Sequence, residues 1–191
     1  MKQGSGVMMA LVVALSGTAR ADEAAPPPDR AKPFLTEDDS HVVTVTGAFG
    51  PARDTMMVFA YHGLEGMGRF VGFALVSDDK AKHGQRKIEL PALPQGSDSG
   101  EVAVTLVANL DRDADDEIVV GFRVFRTVRG RQGGFSYNTW EYAVLDWNGK
   151  KFVRLPALEK KLQARADARE EHKGSVLSED DARAALGVAK K

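Results

Sequence analysis

The chain of 191 residues contains no cysteine. That absence excludes a disulfide framework, a zinc ribbon or thiolate cluster, a cysteine nucleophile and a lipid-anchoring cysteine. An excess of charge of either sign is also missing: 26 Lys and Arg stand against 27 Asp and Glu, for a formal net charge of -1. Nucleic-acid binding by counterion release needs a concentrated basic surface, so nucleic acid is not an expected partner. Signatures of common chemistries are lacking too. There is no G-x-S-x-G elbow, phosphate loop or dinucleotide fingerprint, and His41, His62, His83 and His172 show no HExxH spacing. No apolar run reaches the roughly 20 residues that span a bilayer. What remains, 43% hydrophobic and 28% charged residues, is the composition of a globular protein long enough to bury a core.

The N-terminus carries an address. Lys2 precedes an apolar stretch from Val7 to Leu15, and small residues lead to Ala19-Arg20-Ala21, an A-x-A pattern ahead of Asp22. Residues 1–21 therefore read as a secretory signal peptide cleaved after Ala21, and the protein is expected to be secreted or periplasmic. The removed piece holds Lys2 and Arg20 and no acid, leaving 170 residues of net charge -3. Residues 22–40 are rich in proline, alanine and charge and read as a linker.

From residue 41 the pattern has period two, rich in valine, threonine and aromatics, with Gly and Asp clusters between the runs. Strands are predicted at about 41–47, 56–61, 69–77, 85–90, 101–108, 117–127, 137–147 and 150–155. They fall into two sets of four. Val43-Thr44-Val45 answers Val104-Thr105-Leu106, and Met56-Met57-Val58 answers Ile118-Val119-Val120. Phe73-Ala74-Leu75-Val76 answers Tyr142-Ala143-Val144-Leu145, and Leu90-Pro91-Ala92-Leu93 recurs as Leu155-Pro156-Ala157-Leu158. The expected fold is mainly β: a domain over 41–158 built from two repeats, about 41–95 and 101–158. Each repeat is a four-stranded antiparallel, blade-like meander, and the two are packed together. Alternatively, sheet edges are completed by other chain segments or by another subunit. A helical segment follows over 159–191, with Leu158, Leu162 and Ala166 on one face, Ser178 as an N-cap and Gly187 as a stop.

One loop carries specific chemistry. Asn109, Asp111, Asp113, Asp115 and Glu117 place a side-chain oxygen at every second position ahead of the apolar run Ile118-Val119-Val120 and Gly121. A curled loop points such oxygens at one centre, where a hard cation such as calcium takes six to eight of them. An EF-hand register counted from Asp111 fails, because Phe122 falls where a bidentate glutamate is required. Counted from Asn109, side-chain oxygens fall at the first, third, fifth and ninth positions, with the Asp115 carbonyl at the seventh.

In that register the segment resembles the calcium loop of FG-GAP repeats, the VCBS-type blade repeat of integrin alpha-like propellers. The family pattern is D-x-[DN]-x-D-G-x-x-D followed by an apolar strand. The resemblance implies a β-blade whose first hairpin is pinned by one structural Ca2+. Ala114 stands where the family has glycine and neutral Asn109 where it has an acid, so the implied affinity is low, on the order of 10⁻⁴ to 10⁻³ M. The matching loop of the first repeat, Ala48 to Thr55, has too few acids and is expected to bind nothing.

These readings point to an exported, non-enzymatic binding or interaction module whose partner is another envelope or extracellular protein or a glycan. The arginines 123, 126, 129 and 131 and the aromatics Trp140, Tyr142 and Trp147 are surfaces to weigh for such a partner. The alternative is a small secreted hydrolase or carbohydrate-active protein with a site between the sheets, for which Asp146 and Glu141 are the candidate acids.

Overall fold

The computed structural model of the chain describes residues 28–63, 68–97, 99–110, 113, 115–130, 133–169 and 174–189. The signal-peptide reading of residues 1–21 lies outside them.

Among the described residues nine strands make two sheets. The first holds β1 (Asp39–Gly47), β2 (Thr55–His62), β3 (Gly68–Ser77) and β4 (Gln85–Glu89) in chain order, with β5 (Gln95–Ser97) also paired to β3. The second holds β6 (Val102–Ala108), β7 (Glu117–Gly130), β8 (Gly133–Trp147) and β9 (Phe152–Arg154), again in chain order. Every pairing is antiparallel. The protein is therefore mainly β, two four-stranded meanders with short helices after them. β5 lacks an alternating run and was not visible in the hydrophobic pattern.

The sheets pack face to face. Alternation turns Met57, Phe59 and Ala74 of the first sheet toward Ile118, Val120, Phe122, Val124, Ala143 and Leu145 of the second. Phe122 sits at the centre, with ring centroids 6.0 Å from Phe59 and 5.0 Å from Phe70. Burying one aromatic of this size contributes roughly 1.5–3 kcal/mol.

Each sheet also has its outer face covered, which explains why β2 is buried from Thr55 to Ala60. Over the second sheet lie α1 (Pro156–Asp167) and α2 (Glu179–Leu186). Leu162, Leu177 and Ala182 close on Leu106, Val119, Trp140, Tyr142 and Val144. Ser178 caps α2 by accepting the Asp181 N–H, and Gly187 ends it at φ +74°. Over the first sheet lies the segment before β1. Ala31, Phe34 and Leu35, around a short 3-10 helix at Lys32–Phe34, pack on Met56, Val58, Phe73 and Leu75. From Pro28 onward the segment read as a linker is thus part of the domain, because the outer face of an all-covered sheet needs apolar residues from somewhere.

The repeated segments do not all occupy equivalent places. Phe73-Ala74-Leu75 and Tyr142-Ala143-Val144 match face for face, with Ala74 and Ala143 turned inward. Met57, by contrast, enters the space between the sheets, while its sequence counterpart Val119 lies under the helices. The sequence correspondence is off by one residue there, and a slip of one inverts the face. The identical tetrapeptides diverge as well. Leu90 to Leu93 forms an irregular crossing, whereas Pro156 opens α1 at its first turn, where its missing N–H costs nothing. Arg154 bridges the two copies by donating to the Ala92 carbonyl at 3.1 Å.

Candidate metal centre

The acidic loop joins β6 to β7, whose ends pair at Ala108 and Glu117. Its backbone is braced by its own side chains. Asn109 Nδ2 donates to the carbonyls of Asp113 (2.6 Å) and Asp115 (3.0 Å), and Asp113 Oδ1 accepts the Asp115 N–H at 3.0 Å. Glu117 is fully buried, and its Oε2 accepts the Leu110 N–H.

The loop is also tied to the first sheet. Asp116 N donates to the Ala48 carbonyl at 3.0 Å, and Asp115 Oδ2 accepts the Gly50 N–H at 3.2 Å. Gly50 has φ +70°, and a Cβ there would lie 2.8 Å from the Trp147 ring. Glycine is required at that position on both counts.

Three carboxylates converge. Asp113, Asp115 and Asp146 each offer an oxygen within 4.8 Å of the other two, and this cluster can hold a metal ion. Oxygens this close can share one cation. Burial increases inward, from exposed Asp113 through half-buried Asp115 to buried Asp146. Three like charges this close repel one another, and a divalent cation relieves that repulsion.

Of the five loop residues singled out by the sequence, Asp113 and Asp115 belong to the cluster. Asp111 lies outside the described residues. Asn109 and Glu117 are directed at the loop backbone, as described above, and stand outside the cluster. Asp146 completes it from β8, a residue that the spacing of the loop could not reveal. Its signal is the β7–β8 register: Ile118 pairs with Leu145, so the next step sets Asp146 beside Glu117 at the strand end.

Of the other candidate features, Arg131 and the Arg129 side chain lie outside the described residues, and the rest have structural partners. Asp146 and Glu141 are five residues apart on β8, hence on opposite faces, and cannot meet in one site. Glu141 instead pairs with Arg126, and Arg123 pairs with Glu101. Trp140 donates to the Gly174 carbonyl at 2.9 Å under the helices. Tyr142 accepts the Leu177 N–H at 2.9 Å, and burial pushes its hydroxyl up to about 12. Trp147 packs edge-on against Phe152 at 5.0 Å. These three aromatics are core contacts, with no shared exposed platform. Among the described residues no helix is long and apolar enough to cross a membrane.

Comparison of the chain with protein-family models, with curated proteins and with solved structures finds no match.

Proposed function

We propose that the chain is an exported, non-enzymatic binding or interaction module stiffened by one low-affinity structural calcium ion. The observation that carries the calcium reading is the convergence of Asp113, Asp115 and Asp146 within 4.8 Å. Calcium accepts carboxylates from a loop and a strand together, because its coordination number is high and its geometry permissive. The FG-GAP-like spacing from Asn109 to Glu117 supports the same ion, and the A-x-A pattern at 19–21 supports a compartment where free calcium is plentiful. An interior filled by Phe59, Phe70 and Phe122 favours a scaffold over a hydrolase with a cleft between the sheets. The partner of such a scaffold is an envelope or extracellular protein or a glycan.

Calorimetric titration of the folded protein with calcium, beside Asp113→Ala/Asp115→Ala, tests the ion. One binding event at sub-millimolar to millimolar Kd, lost in the double variant, is expected. Heats indistinguishable from dilution would remove calcium from the proposal. Export is tested separately by sequencing the N-terminus of the protein recovered from its native host, which should begin at Asp22.

A further inference from the structure

The place beside β3 is filled by two separate strands, β4 opposite Phe73–Ser77 and β5 opposite Gly68 and Arg69. Between them runs Leu90-Pro91-Ala92-Leu93-Pro94. Its two prolines have no N–H to give to a ladder, so the chain leaves the sheet there. A groove of about 570 Å³ opens at this break, its apolar lining including Phe34, Val71, Phe73, Leu90 and Pro91. That volume falls within the range of small-molecule sites, about 300–1,000 Å³.

Polar groups line the same groove in an ordered row. Asp39, His62 and Arg69 are successive cross-strand partners on β1, β2 and β3, so they share one face. His62 Nδ1 lies 2.9 Å from Asp39 Oδ1, and Asp39 Oδ2 accepts the Thr36 N–H at 2.7 Å. Burial works to raise the Asp39 carboxyl, but hydrogen bonds from Thr36 and His62 outweigh it and hold the group below its ordinary value. The Asp39 carboxylate thus fixes the His62 ring through Nδ1 at the side of the groove. Lys87 lies 4.6 Å over the Phe73 ring and 3.0 Å from Glu89. Of the five charged or titratable groups lining the groove, Asp39 is thus matched by His62 and Lys87 by Glu89. Arg69 is exposed and makes no ion pair or side-chain hydrogen bond among the described residues. One exposed planar guanidinium beside an apolar floor is left without an ion-pair partner among the described residues.

We propose that this groove binds a small amphipathic carboxylate, its apolar body on half-buried Val71 and Pro91 and its carboxylate on Arg69. The guanidinium fork matches a carboxylate with two parallel hydrogen bonds, which a lysine cannot reproduce. The site lies on the first sheet and is independent of the acidic cluster on the second.

Phenylbutyrate is the probe, titrated into the folded protein while amide NMR shifts are followed, with neutral phenylbutanol as its uncharged counterpart. Shifts are expected at His62, Arg69, Val71 and Ala92, which line the groove, with binding weakened about tenfold or more both in Arg69→Gln and for the alcohol. Arg69→Lys should recover only part of the affinity, because it restores charge without the fork. The proposal is overturned if these residues do not shift at about 10 mM probe, above the millimolar Kd of a weak fragment. It is equally overturned if the alcohol binds as well as the acid, or if Arg69→Gln, melting like the wild type, binds undiminished.

Discussion

The backbone N–H of Gly50 donates to Asp115 Oδ2 at 3.2 Å, joining the β1–β2 loop of the first sheet to the acidic loop of the second. Asp116 N and the Ala48 carbonyl make the same connection at 3.0 Å. A cation that orders Asp115 therefore also orders the junction between the sheets, which is how a single ion would stiffen the whole sandwich.

Asp146→Asn keeps the side-chain shape and removes one of the three converging charges. In chelator the variant should melt at or above the wild type, because repulsion among the carboxylates is relieved. At ten times Kd calcium should stabilise the wild type by about 1.4 kcal/mol. For a chain of this size that is a rise of roughly 3–6 °C. The variant should show no rise. Scanning calorimetry with and without calcium distinguishes the two, and an equal calcium shift in both proteins would contradict the role of Asp146.

Gly50→Ala places a methyl 2.8 Å from the Trp147 ring at a φ of +70°. Strain and overpacking together should cost about 2–3 kcal/mol. Urea unfolding should show a lower midpoint with an unchanged slope. Gly149, also at positive φ but with nothing within 4 Å, serves as a comparison in which only the backbone strain remains.

Ser178→Ala removes the cap of α2 and should cost about 1 kcal/mol. It should also change the acid limb of stability. The hydrogen bond from Ser178 holds the Asp181 carboxyl below its ordinary value of 3.8, against a smaller opposing effect of burial and with further help from Arg165 and Arg169. A carboxyl depressed on folding adds stability that is complete above its unfolded value and is lost as pH falls through the folded one. Melting followed below pH 4 should therefore fall more gently in the variant than in the wild type. Parallel curves would show that Ser178 does not set the Asp181 titration.

A chain beginning at Thr36 lacks Ala31, Phe34 and Leu35, the cover over Met56, Val58, Phe73 and Leu75. Exposed apolar surface of that kind promotes association. The shortened protein should bind a hydrophobic dye and elute as larger species, whereas a chain beginning at Pro28 should behave like the full-length one. Identical behaviour of the two would mean that the segment is dispensable.

Much of the architecture was legible because period-two alternation is a local property. The strand from Glu117 could be read from Ile118, Val120, Phe122 and Val124 alone, and Ser178 and Gly187 marked α2 because caps act within one turn. The candidate metal cluster was legible in two of its three members. Asp113 and Asp115 lie in one loop and announce themselves by spacing, but Asp146 joins them through a strand pairing that no short window contains. The groove at Arg69 was not legible, since it depends on Asp39, His62 and Arg69 meeting across three strands and on two prolines breaking the neighbouring ladder.

By itself, the sequence determined two meanders, their order along the chain and the two helices after them, because alternation, turn residues and caps are encoded within a few residues of where they act. The tertiary structure decided which face each strand buries, that the segment from Pro28 covers the first sheet, that Leu-Pro-Ala-Leu is a crossing in one unit and a helix start in the other, and that Asp146 stands with the loop acids. Those outcomes turn on pairing between distant residues, where a shift of one position moves a side chain to the opposite face.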